Sequence, residues 1–224
     1  EIPLLDLVMS STQAECGENN GTATANVFGG TPDYAYEWST GDSTSTITNL
    51  PPGVYVVTVT DANGCSAVDE VEVGSTDPIL ADATGEDVSC HGGNDGVAFA
   101  SATGGSGSYT FEWSNGETGP VTDGLTAGIY TVLVTDNQTG CQDTTSVTIG
   151  EPPFLLATTF TTNATCGEHN GTATANVFGG TPPYSFAWST GENTQSIDSL
   201  PAGIYMVTVT DENGCEAVQT ATVN

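Results

Sequence analysis

One segment occurs three times, and this repetition constrains the fold more than any other feature. Residues 16–41 read CGENNGTATANVFGGTPDYAYEWSTG, and residues 166–191 read CGEHNGTATANVFGGTPPYSFAWSTG. A looser copy, CHGGNDGVAFASATGGSGSYTFEWSNG, occupies residues 90–116. Trp38, Trp113 and Trp188 are spaced 75 residues apart, as are the pairs Gly53/Tyr55, Gly128/Tyr130 and Gly203/Tyr205. A fixed period of this kind marks a tandem array. The expected domains are residues 1–76, 77–150 and 151–224. A unit of this size buries only about 60–65% of its unfolded surface, so its core is marginal without a covalent staple.

The first unit reads as strands throughout. Leu5, Leu7 and Met9 alternate in an opening strand, and Ala23, Ala25 and Val27 alternate with threonines and Asn26 in the next. Tyr34, Tyr36 and Trp38 share one strand face and recur in every unit, which is core behaviour rather than that of an exposed sugar-stacking platform. Ile47 and Leu50 mark a short strand, and Tyr55, Val57 and Val59 line one face of the clearest strand. The turn at Asn63-Gly64 supplies positive φ, and a last strand runs from Cys65 through Val71 and Val73. Period-two alternation with a turn every eight to twelve residues predicts an all-β fold. The expectation is three tandem antiparallel β-sandwiches, Ig-like or PKD-like in the broad sense.

The six cysteines fall two per unit, as Cys16 and Cys65, Cys90 and Cys141, and Cys166 and Cys215. Fifteen pairings exist in principle. If each unit is self-sufficient, one disulfide closes each unit. A closed loop of about 50 residues would add roughly 4 kcal/mol in the chain-entropy model. Disulfides place the chain in an oxidising, extracellular setting.

The chain has no Lys and no Arg against 28 Asp and Glu, a net charge of −28. Phosphate contacts need cations, so nucleic acid is excluded as a partner, and an anionic membrane surface repels the chain. A lysine Schiff base, a P-loop lysine, a lysine-dependent isopeptide staple and an arginine clamp are excluded with it. No apolar run reaches the length of a membrane span. Both ends fall at repeat boundaries, as expected of a piece of a longer protein whose signal peptide and anchor lie elsewhere.

The runs NGTATANVFGGTPPYSFAWSTG and SLPAGIYMVTVTDENGC resemble the SprB repeat of Bacteroidota surface proteins. The resemblance covers all three units. It departs at Gly105-Ser106-Gly107-Ser108 and at Thr126-Ala127, both loop changes. It implies a segment of a very large cell-surface adhesin, of the kind used in surface attachment or gliding motility and exported by type IX secretion. The repeats would serve as stalk, with neighbouring repeats as partners and short acidic-Pro junctions holding them at a fixed angle. A subunit of a self-assembled filament and a carbohydrate-binding module facing surface polysaccharide are the alternatives.

Candidate sites are few. Asp61, Asn63, Asp136, Asp211 and Asn213 place oxygen atoms in turns and are candidate Ca²⁺ ligands, as are the junction acids Asp77, Glu151 and Glu1. Convergence of several carboxylates would be required, and no other cofactor is expected. His91 and His169 are surface loop residues. Ser43, Thr144 and Ser199 follow an aspartate in patterns that resemble a Bacteroidota O-glycosylation site. Nothing singles out a pair of carboxylates for hydrolysis, and no enzyme is expected.

Overall fold

The computed structural model describes residues 4–224. Those residues form eighteen strands and no helix. The first repeat holds β1 (Asp6–Thr12), β2 (Gly21–Phe28), β3 (Ala35–Trp38), β4 (Thr46–Leu50), β5 (Gly53–Thr60) and β6 (Ser66–Val73). The middle repeat holds β7 (Ile79–Glu86), β8 (Gly96–Gly104), β9 (Tyr109–Trp113), β10 (Val121–Leu125), β11 (Gly128–Asp136) and β12 (Gln142–Ile149). The third holds β13 (Leu156–Thr162), β14 (Gly171–Phe178), β15 (Ser185–Trp188), β16 (Ser196–Leu200), β17 (Gly203–Thr210) and β18 (Glu216–Val223).

Every repeat is built from two three-stranded sheets. Their orders are β1-β2-β4 and β3-β5-β6, then β7-β8-β10 and β9-β11-β12, then β13-β14-β16 and β15-β17-β18. In the first and third repeats the named strands all pair antiparallel, and a single parallel bridge joins Ala14 to Ser75. By compactness the chain divides into two bodies. One is Glu1–Asp82 with Ser101–Glu112 and Val132–Thr145; the other is Ala83–Ala100, Trp113–Thr131 and Ser146–Asn224. Each terminal repeat is whole within one body, and the middle repeat contributes to both.

The alternation written in the sequence sets the core. In the first repeat Leu7, Ala23, Ala25, Ile47 and Leu50 from one sheet meet Trp38, Tyr55, Val57, Val59 and Val73 from the other. Val54 and Val56, which alternate with the buried residues of β5, face solvent. Ile47 and Leu50 are three apart yet both buried, which strict alternation forbids. A register shift between β2 and β4 and a positive φ at Asn49 form a bulge that returns Leu50 to the core. Ser199 holds the same conformation in the third repeat.

The tryptophans are buried in the core, and they and the recurring tyrosines have satisfied polar ends. The indole N–H groups of Trp38, Trp113 and Trp188 donate to the carbonyls of Thr44, Gly119 and Thr194. Tyr34, Tyr109 and Tyr184 donate to the carbonyls of Gly29, Gly104 and Gly179. Tyr55, Tyr130 and Tyr205 donate to the carbonyl four residues back, at Pro51, Thr126 and Pro201. The recurring G-G-T-P-x-Y and L-P-x-G-x-Y patterns are thus turns, each closed by a tyrosine hydroxyl.

Gly21 is required by close approach. A Cβ there would lie 2.5 Å from Val73 Cγ1 and 3.0 Å from the Leu50 carbonyl oxygen. Gly171 meets Val223 in the same way. Gly21→Ala is expected to destabilise the fold by about 1–3 kcal/mol through overpacking, read by denaturant unfolding. Adding Val73→Ala should recover part of that loss; equal stability of Gly21→Ala and wild type would show that the sheets separate freely there.

Candidate functional site: the cysteine junctions

Two disulfides form among the described residues, and neither lies within a repeat. Cys16 bonds Cys141 and Cys90 bonds Cys215, with Cα atoms 5.3 and 5.7 Å apart and a sequence separation of 125 in both. Cys65 and Cys166 are free and exposed. The expectation of one disulfide per unit, pairing Cys16 with Cys65, Cys90 with Cys141 and Cys166 with Cys215, is therefore overturned. The first cysteine of one repeat bonds the second cysteine of the next.

Strand length explains the correction. β5 and β6 pair with Thr60 opposite Ser66 at one end and Gly53 opposite Val73 at the other. The Ala14 amide donates to the Gly74 carbonyl, and the Thr76 amide donates to the Ala14 carbonyl, so the Cys16 loop sits at the Val73 end. Cys65 precedes Ser66 at the opposite end. Eight residues of strand, at about 3.3 Å each, hold the two cysteines roughly 25 Å apart. A disulfide needs Cα atoms within about 7 Å. The third repeat repeats this geometry: the Ala164 amide donates to the Asn224 carbonyl, while Cys215 precedes the start of β18.

Each junction carries further polar contacts. At the first, the Cys16 amide donates to Thr76 Oγ1 at 2.8 Å, and Gly17 lies against the Pro78 ring. At the second, Asn213 Nδ2 donates to the Ser89 carbonyl at 2.9 Å, and the Cys215 sulfur lies 3.4 Å from that oxygen. His91 Nδ1 lies 3.3 Å from Glu151 Oε2, and its ring meets Phe154 edge-on at 5.6 Å. Glu151 also accepts the Gly92 amide. His91 and Glu151, expected to be a loop histidine and a junction acid, hold the junction together. Asp77 is exposed, and Glu1 lies outside the described residues.

The turn aspartates act as clasps. Asp61 Oδ2 accepts the Thr31 amide and Oδ1 the amides of Asn63 and Cys65, all at 2.9 Å. Asp136 accepts the amides of Ser106, Gln138 and Thr139. Asp211 accepts those of Thr181, Asn213 and Cys215. All three are buried. In the Asn63-Gly64 turn the positive φ falls on Gly64; Asn63 donates to Thr31 Oγ1. Both oxygens of each carboxylate are directed at backbone N–H groups, tying the turn before β6, β12 or β18 to the turn after β2, β8 or β14. Among the described residues, no three or more His, Cys, Asp or Glu side chains gather to hold a metal ion. Ser43, Thr144 and Ser199 are exposed.

The Thr31 amide holds the Asp61 carboxyl below its ordinary value of 3.8, with the Cys65, Asn63 and Gly64 amides adding to it and burial opposing. The Thr139 and Ser106 amides do the same for Asp136, more strongly. A carboxyl held low stabilises the fold above its unfolded value and loses that contribution as pH falls through its folded value. Thermal midpoints should therefore be level above about pH 5 and fall progressively below about pH 4. Asp61→Asn with Asp136→Asn should lower the plateau and flatten that acid limb; an unchanged acid limb would sink the clasp.

These features define a class first: tandem antiparallel sandwiches in which successive repeats are cross-linked. The chain carries SprB repeats; the family model matches residues 9–43, 83–118 and 158–193. No curated protein matches the chain. Among solved structures, it is similar to three N-terminal domains of the bacteriophage RB49 outer capsid protein Hoc, at 16% identity and TM-score 0.39, over 97% of each chain. It is also similar to the N-terminal eight Ig domains of Down Syndrome Cell Adhesion Molecule. That likeness has 14% identity and TM-score 0.46, and covers 100% of this chain and 36% of that one.

Digestion at Glu without reduction should release peptides joining Cys16 to Cys141 and Cys90 to Cys215. A peptide joining Cys16 to Cys65 would overturn the junctions.

Proposed function

We propose that the chain is a spacer segment of a large secreted cell-surface adhesin, acting in surface attachment or gliding motility and exported by type IX secretion. One observation carries this reading: each disulfide joins a repeat to its neighbour, so tension passes between repeats through covalent bonds. The SprB repeats and an oxidising environment support an extracellular adhesin-type repeat region. The three tryptophans are buried, which weighs against their serving as the stacking platform of a carbohydrate-binding module. No catalysis and no cofactor, calcium included, is part of the proposal. Ser43, Thr144 and Ser199 stay proposed O-glycan acceptors. A subunit of a self-assembled extracellular filament is the alternative.

Force spectroscopy tests the spacer. With both disulfides intact, the shortest covalent route runs from the first residue to Cys16, crosses to Cys141, returns to Cys90, crosses to Cys215 and continues to the end. That route is about 75 residues, or roughly 260 Å fully extended, against roughly 770 Å for the reduced chain. Pulling should stop near the shorter length under oxidising conditions and reach the longer one with reductant. Equal extension in both states would remove the mechanical basis of the proposal.

A further inference from the structure

We infer that the Cys90–Cys215 bond is an exchange site for small thiols and that Cys16–Cys141 is not, so that a reductant opens one repeat junction and leaves the other closed. The inference compares two junctions that both lie complete within the chain, and it holds whatever surface the adhesin contacts.

The two bonds differ in their surroundings. At the first, Cys141 is only 1% exposed and Cys16 is half-buried. Thr76 Oγ1 lies 3.9 Å from the Cys141 sulfur and also accepts the Cys16 amide, and the Pro78 ring lies on Gly17. At the second, Cys90 and Cys215 are both half-buried. A cavity of about 150 Å³ lies against both of them, lined by Cys90, His91, Phe154, Leu155, Cys215 and Glu216. A cavity of about 150 Å³ accommodates benzene, so a smaller molecule such as 2-mercaptoethanol fits.

The side chains of this junction hold that space in shape. The His91 ring meets Phe154 edge-on, and its Nδ1 lies 3.3 Å from Glu151 Oε2 and 3.2 Å from the Pro152 carbonyl oxygen. Two rings fixed at right angles wall the space beside the sulfurs. At the first junction the corresponding contact is between Gly17 and Pro78.

The reaction is thiol–disulfide exchange, whose rate depends on access to the attacked sulfur. A small thiolate enters the cavity and attacks Cys215 Sγ. The bond to Cys90 breaks, and the Cys90 thiolate leaves and takes up a proton. The Ser89 carbonyl oxygen, 3.4 Å from the Cys215 sulfur, sets this direction, because it opposes negative charge on Cys215. A second small thiolate then attacks the small-molecule sulfur of the mixed disulfide, and Cys215 leaves, taking up a proton that it can donate to Ser89. Two small thiols become one small disulfide, and the protein disulfide becomes two protein thiols. The chain carries −28, so a thiol with no further negative charge is the suitable co-reactant.

The test exposes the native 224-residue protein, with Cys65 and Cys166 first alkylated, to 2-mercaptoethanol. Samples quenched over time with a second alkylating agent are mapped by mass spectrometry. Cys90 and Cys215 should acquire the second label at least tenfold faster than Cys16 and Cys141, and early samples should carry a 2-mercaptoethanol adduct on Cys215 with Cys90 labelled. In denaturant the two bonds should open at rates within about twofold of each other, which assigns the native difference to the fold. Glu216→Trp should open Cys90–Cys215 at least threefold more slowly than Glu216→Gln, which removes the same charge without adding bulk, and Cys16–Cys141 should open at one rate in both. Equal native rates, earlier opening of Cys16–Cys141, a difference that persists in denaturant or identical rates in the two Glu216 variants would each overturn the inference.

Discussion

The final strand of a repeat is the constraint on which the cross-linking depends. β6 and β18 each run eight residues, and the cysteine pair of each terminal repeat brackets that strand. A strand that long keeps the two sulfurs at opposite ends, so neither can satisfy the other. Both must look outward, and Cys16 and Cys90 each bond the second cysteine of the next repeat. The strand in turn is fixed by its partner: Tyr55, Val57 and Val59 in β5 bury one face, and register with β6 follows from that burial. Core packing thus decides where the covalent bonds go.

Charge shapes the same places. With no Lys or Arg, a buried carboxylate has few partners other than backbone amides. Asp61, Asp136 and Asp211 use three each. Asp87 accepts the Gly150 amide, Asp143 the Ala81 amide and Glu151 the Gly92 amide. The acid-rich turns and junctions are places where oxygen atoms collect N–H donors that strand ladders leave over. His91, facing Glu151, is the exception, and it stands at a junction.

Much of this was legible in the sequence. Period-two alternation located the strands of the first repeat other than the one marked by Ile47 and Leu50, and the recurrence of Trp38 and Tyr55 at 75-residue spacing marked them as core. The bulge at Asn49 was less visible, because a non-glycine residue with positive φ leaves no pattern, although the three-residue gap between Ile47 and Leu50 pointed to it. The disulfides were misassigned because a repeat period does not distinguish a partner in the same unit from one in the next. Spacing alone does not decide it: both junction separations are 125, but Cys65 to Cys90 and Cys141 to Cys166 are both 25. The clasps were missed because D-x-N-G is equally a turn, a metal loop and an amide trap until the second loop, at Thr31 or Thr181, is brought beside it.

The two disulfide loops overlap, since Cys90 lies inside the span from Cys16 to Cys141 and Cys141 lies inside the span from Cys90 to Cys215. Any single break in the backbone between Cys16 and Cys215 therefore falls within at least one closed loop, and the severed pieces stay attached. A protease that nicks an exposed turn outside the cell cuts a peptide bond without parting the strand of repeats, much as one broken fibre does not part a braided rope. Tolerance of damage is thus a property of the stagger between bonds, which three self-contained loops would not confer.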